Sequence, residues 1–162
     1  MNRLRLFSIG LIVFCIVIAF QTVSIFLSFS RLLDIHHILI HPIWVYPMWL
    51  LWTIWSIKSV VATFCISRAY LQEPSRHRTR ILQLWTLYFV LDAIWPLAFL
   101  WFDSALAAAV LVTCMIPALY LNILETALID RKAMYPLIFL SLLILSKVFL
   151  HWTIYWLKIN AL

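Results

Sequence analysis

The apolar positions of this chain fall into five long runs, at about residues 6–29, 44–69, 81–102, 105–129 and 134–157. A hydrocarbon core about 30 Å thick is crossed by a helix of roughly 20 apolar residues, so each run predicts one membrane-crossing helix. The breaks between runs are 30–43, 70–80, 103–104 and 130–133. The last two are short enough to force antiparallel neighbours. No internal repeat or low-complexity segment interrupts the pattern. The expected fold class is therefore all-α integral membrane, a five-transmembrane-helix bundle in which residues 1–162 form a single membrane domain. The first run follows Met1-Asn2-Arg3-Leu4-Arg5, as a signal peptide would. It is too long for a signal core and lacks a small-x-small cleavage pattern, so we expect it to be retained as the first span.

Composition strengthens this reading. The chain is 66% hydrophobic and 11% charged, with a mean hydropathy of +1.05, whereas soluble domains are near half apolar and a quarter charged. A lone glycine argues against the turn-rich pattern of a membrane β-barrel. Twelve Lys and Arg against six Asp and Glu give a net charge of +6. The basic residues gather at run ends rather than in a patch, so nucleic acid is not expected as a partner and the lipid bilayer is. With a cytoplasmic N-terminus, Arg3, Arg5, Arg68, Arg76, Arg78, Arg80, Arg131 and Lys132 all lie on the cytoplasmic side. Only Arg31 and Lys158 lie opposite, and Lys58 and Lys147 fall within runs. That asymmetry supports an odd number of spans. Trp44, Tyr46 and Trp49 open the second run, and Trp152, Tyr155 and Trp156 close the fifth, which suits rings anchored at the headgroup level. Cys15, Cys65 and Cys114 lie inside apolar runs at no metal-ligand spacing and read as small buried hydrophobes.

Charge within a span is informative because it costs about 2.5–3.5 kcal/mol at the bilayer centre on insertion scales. Lys58, Asp92 and Lys147 sit near mid-span, and Glu125 lies closer to the cytoplasmic end of the fourth run. We expect an intramembrane cluster in which Asp92 pairs with Lys147, Lys58 or both. One acid and two bases leave a positive charge that could meet a ligand carboxylate. The bland reading is an ion pair that only sets helix register, or a snorkelling lysine. In the third run Trp85, Tyr88, Asp92, Trp95, Phe99 and Phe102 recur at spacings of three and four, on one helical stripe. The stripe reads either as helix packing or as a cavity wall of flat aromatic faces. Lys147, His151 and Tyr155 form a second stripe on the fifth run.

Pro96 and Pro117 each remove a backbone donor inside a span and are expected to kink it. His36, His37 and His41 in the first linker could bring two imidazoles to one metal, but only Asp34 stands near them, so no metal is expected. A phosphate loop, Gly-x-Ser-x-Gly and His-Glu-x-x-His are all missing.

Several short motifs in order resemble the tryptophan-rich translocator family (TspO/MBR). They are Tyr46-Pro47-Met48-Trp49, Leu91-Asp92-Ala93-Ile94-Trp95-Pro96, the turn Phe102-Asp103-Ser104 into an Ala-rich fourth helix, and Tyr135-Pro136. The resemblance covers about residue 44 to the C-terminus. Asp92 stands where the family has Asn, and Lys147-Val148 where it has Leu-Asn. Leu140 replaces a family aromatic, and Trp52-Thr53 replaces Leu-Tyr. The resemblance implies a cavity capped by the first linker and a hydrophobic small-molecule ligand, a tetrapyrrole or sterol, with no resident cofactor. It also implies a homodimer and a role as sensor, regulator or carrier. The ligand-binding residues it implies are Trp49, Trp52, Tyr88, Asp92, Trp95, Phe99, Lys147 and His151. Short loops suggest a bacterial inner membrane. Two other classes stay open: a small packing subunit of a larger membrane complex, and an intramembrane enzyme on a lipid or isoprenoid using Asp92, Glu125 or His151.

Overall fold

The computed structural model describes the backbone of residues 3–35 and 48–160, and the side chains of 7–23, 26, 50 and 52–160. The described chain is helical: α1 (Arg3–Ile35), α2 (Met48–Tyr70), α3 (Arg76–Pro96, continued by a π-helical turn Leu97–Trp101), α4 (Ala105–Ile129) and α5 (Arg131–Asn160). Three of these helices, Arg76–Trp101, Ala105–Ile129 and Arg131–Asn160, are long and apolar enough to cross a membrane. The chain packs α1 against α2, α2 against α5, α5 against α4, α4 against α3 and α3 against α1, with α2 also touching α3.

Capping chemistry sets the helix ends. Ser75 accepts from Arg78 N at 3.2 Å, so α3 starts at Arg76, five residues before its apolar run. Ser104 accepts from Ala107 N at 3.2 Å and opens α4. Asp130 ends α4 by donating its N–H to Thr126 O at 2.7 Å, and its carboxylate accepts from Lys132 N at 3.0 Å to start α5. Asp103 takes a positive φ of 49° in the turn between α3 and α4, a conformation Asp tolerates better than most residues. Lys158 holds that turn, reaching Asp103 O at 3.0 Å and its carboxylate at 2.8 Å.

The two expected kinks differ. Pro117 lies within an uninterrupted α4. Pro96 ends α3, and a wider π turn, Leu97–Trp101, follows it. The same turn ends the aromatic stripe. Trp85, Tyr88, Asp92 and Trp95 are buried and Phe99 is half-buried, whereas Phe102, expected on that stripe, is 78% exposed because the π turn changes the angular step.

The core draws on all five helices: Val17 of α1 and Ala62 and Cys65 of α2 join Tyr88, Met115, Leu119, Leu137 and Leu140, the last five all inaccessible. Ala108 and Ala109 on α4 are fully buried, and such small residues let helices approach closely. Outside, Phe7, Leu128, Leu142, Phe149 and Trp156 stand largely exposed, a surface suited to lipid rather than water. Thr22, Thr113 and Thr153 turn their hydroxyls onto carbonyls four residues back, which satisfies them inside an apolar solvent. At one end of the bundle Arg68 pairs with Asp130 at 2.5 Å, and Glu125 accepts from Arg80 at 2.9 Å and meets His77 Nδ1 at 2.5 Å.

Candidate functional site

Asp92 sits on the buried face of α3, where the apolar spacing turns it inward with Tyr88 and Trp95. Its carboxylate meets two ammonium groups from different helices. Lys58 on α2 donates to Oδ2 at 2.5 Å, and Lys147 on α5 donates to Oδ1 at 3.5 Å. The structure thus brings Lys58, Asp92 and Lys147 together. The two arms are unequal. The Lys58 and Asp92 side chains are 5% and 4% exposed, so both charges have left solvent; that is tolerable only with a partner in direct contact. Lys147 is 19% exposed and farther from the carboxylate.

Lys147 compensates with a ring. Its Nζ lies 3.7 Å from the centroid of Trp95, within the range of a cation–π contact. The Trp95 ring meets His151 at 5.1 Å and 89°, and Phe99 meets His151 at 5.3 Å. His151 is placed by the helix it shares with Lys147, through contact of its Nδ1 with Lys147 O at 2.9 Å. As a carbonyl can only accept, Nδ1 carries the proton and the buried Nε2, which has no partner among the described residues, presents a lone pair. Lys147, Trp95, Phe99 and His151 therefore form one cluster: a cation, two aromatic faces and a hydrogen-bond acceptor.

Other expected residues fall elsewhere. Tyr88 is fully buried four residues before Asp92, against Trp85 and Phe89. Trp52 is 42% exposed, and its ring meets Trp55 at 5.3 Å, so it lies on the outer face of α2 rather than with the cluster. The Trp49 side chain, and His36, His37 and His41 of the first linker, lie outside the described residues. Among the described residues no group of three or more His, Cys, Asp or Glu is placed to hold a metal. A shallow apolar groove of about 170 Å³ opens between α1, α2 and α3, lined by Val17, Phe20, Ile66, Trp85 and Phe89 among others. It is smaller than a typical small-molecule pocket, and none of Trp95, Phe99, Lys147 or His151 lines it.

Sequence reasoning passed over a second set of buried polar residues. Ser59 donates to Gln21 Oε1 at 2.5 Å between α2 and α1, beside Lys58. Thr126 donates to Asn122 Oδ1 at 3.2 Å on α4. Among the described residues, Gln21 Nε2, Thr63 Oγ1, Ser67 Oγ, Trp85 Nε1, Tyr88 OH and Asn122 Nδ2 are buried without a partner. Each would cost about 1–3 kcal/mol if left unsatisfied. The signal available was Gln21 and Asn122, amides inside otherwise apolar runs.

These features define an α-helical bundle with a lipid-suited exterior and an interior ion triad joined to an aromatic cluster. No family model matches the chain, and no curated protein matches it.

Proposed function

We propose that the protein spans a membrane five times and holds a flat, ring-bearing anion of tetrapyrrole type at the Lys147–Trp95–Phe99–His151 cluster. Its role is that of a sensor, regulator or carrier. In this reading it is a divergent member of the TspO/MBR family, homodimeric, in a bacterial inner membrane with its N-terminus cytoplasmic. The basic residues at the Arg68–Arg80 and Arg131–Lys132 end support that orientation.

The observation that carries the reading is the unequal sharing of Asp92. One carboxylate cannot neutralise two ammonium groups, and the Lys58 contact takes the shorter, more buried geometry. Lys147 is left as the less neutralised and more accessible cation, lying on an indole face. A ligand with a carboxylate at its edge and a delocalised ring behind it would meet the ammonium and stack near Trp95 and Phe99. A neutral sterol would use the rings and leave the charge unmet, so the cluster favours the acidic ligand.

Tryptophan fluorescence of the purified protein, titrated with protoporphyrin in lipid nanodiscs, tests this. Saturable quenching that weakens at least tenfold in Lys147→Met, equivalent to about 1.4 kcal/mol, is the expected outcome. Quenching that is linear in protoporphyrin, or equal in Lys147→Met, would sink it.

A further inference from the structure

Among the described residues, six polar atoms on α1 to α4 are buried without a partner. α2 ends, α3 begins and α4 ends on the same side of the bundle, the side of the Arg68–Asp130 and Arg80–Glu125 pairs. At 1.5 Å rise per residue, depth below that end is about 5 Å for Ser67, about 10 Å for Thr63 and Asn122, about 14 Å for Trp85 and about 18 Å for Tyr88. Gln21 is fixed by Ser59 beside Lys58, also close to 18 Å down. All six lie in the half of the bundle between the charged end and the depth of Lys58.

Left unsatisfied, these groups would carry a combined penalty comparable to the whole net stability of an ordinary domain. Buried polar atoms in native proteins are satisfied, and where protein atoms do not reach them ordered water does. The set mixes donors and acceptors, as bridging water requires. We infer that the half of the bundle between the Arg68–Asp130 end and Asp92 binds a chain of internal water molecules on Ser67, Thr63, Asn122, Tyr88 and Gln21. The ion triad is then hydrated through one end while its Lys147 arm faces the aromatic cluster. This gives the triad a route for water, and for proton exchange, separate from the ligand cluster, and it does not depend on what that cluster binds.

Water-edited solid-state NMR on the full chain in lipid bilayers reads this directly. Polarisation from water should build up at Thr63, Tyr88 and Asn122 as fast as at the Ser75–Arg76 turn, and much faster than at the fully buried Leu119 and Leu137. Thr63→Val with Asn122→Leu should abolish the fast build-up at Tyr88. Build-up at Thr63, Tyr88 and Asn122 as slow as at Leu119 would overturn the inference. That comparison needs only the unaltered protein, so a poorly folding variant cannot obscure it.

Discussion

Replacing Asp92 by Asn keeps the side-chain shape and removes the charge that two lysines share. Lys58, 5% exposed, would lose the counter-ion in direct contact with it. Breaking a buried pair by removing one partner costs about 3–5 kcal/mol, chiefly because the other charge is stranded. Lys147 adds less than about 1 kcal/mol, since it is farther away, partly exposed and supported by the Trp95 ring. The sum corresponds to a loss of roughly two to four orders of magnitude in the folding equilibrium. Reversible unfolding in mixed micelles, followed by tryptophan fluorescence against SDS fraction, measures it. Lys58→Met in the Asp92→Asn background removes the stranded charge, so the double variant should regain most of the loss, as buried ion pairs replaced by apolar groups often do. An Asp92→Asn protein within about 0.5 kcal/mol of the unaltered one would refute the reasoning. So would a double variant whose cost is the plain sum of the two singles.

Other outcomes follow from named contacts. Ser104→Ala removes the cap on Ala107 N and should cost about 1 kcal/mol by the same unfolding assay, with ligand affinity unchanged. Glu125→Gln loosens the α3–α4 end, but its partners His77 and Arg80 are about half exposed, so the loss should stay below about 1 kcal/mol and shrink in high salt. Trp95→Leu removes the ring under Lys147 and should weaken protoporphyrin binding by about 1–2 kcal/mol in a quenching titration, while Trp52→Leu, on the outer face of α2, should leave affinity unchanged.

Much of this architecture was legible because lipid writes a simple rule into sequence. Every backbone polar group must be bonded within the chain, so apolar runs become helices. The run at 105–129 coincides with α4, whose ends are set by Ser104 and Asp130, residues that stand at the run's borders. α3 differs from its apolar run at the N-terminal end and in its inner geometry. Five polar residues before Ile81 join the helix because Ser75 caps it, and Pro96 begins a π turn that no hydropathy count reveals. The cost of burying charge singled out Lys58, Asp92 and Lys147, but not their order. That Lys58 takes the short contact depends on α2 approaching α3 across the bundle, a long-range fact. Trp52 sits three residues from Trp55 on the same helix, and only the packing of α2 sets it apart from the Lys147 cluster, 42% exposed. The buried polar atoms of Thr63, Ser67 and Asn122 were invisible for the opposite reason: single hydroxyls and amides are common in membrane helices, and only the structure shows these to be buried.

Nitrogen-15 spectra of lysine-labelled protein in nanodiscs, titrated with protoporphyrin and separately with its dimethyl ester, probe the central claim at the atom concerned. The free acid should shift the Lys147 Nζ resonance to saturation and leave Lys58, held by Asp92, near its starting position, while the ester shifts neither. A saturable complex in which Lys147 Nζ does not move, or an ester that binds as tightly as the acid, would contradict the account.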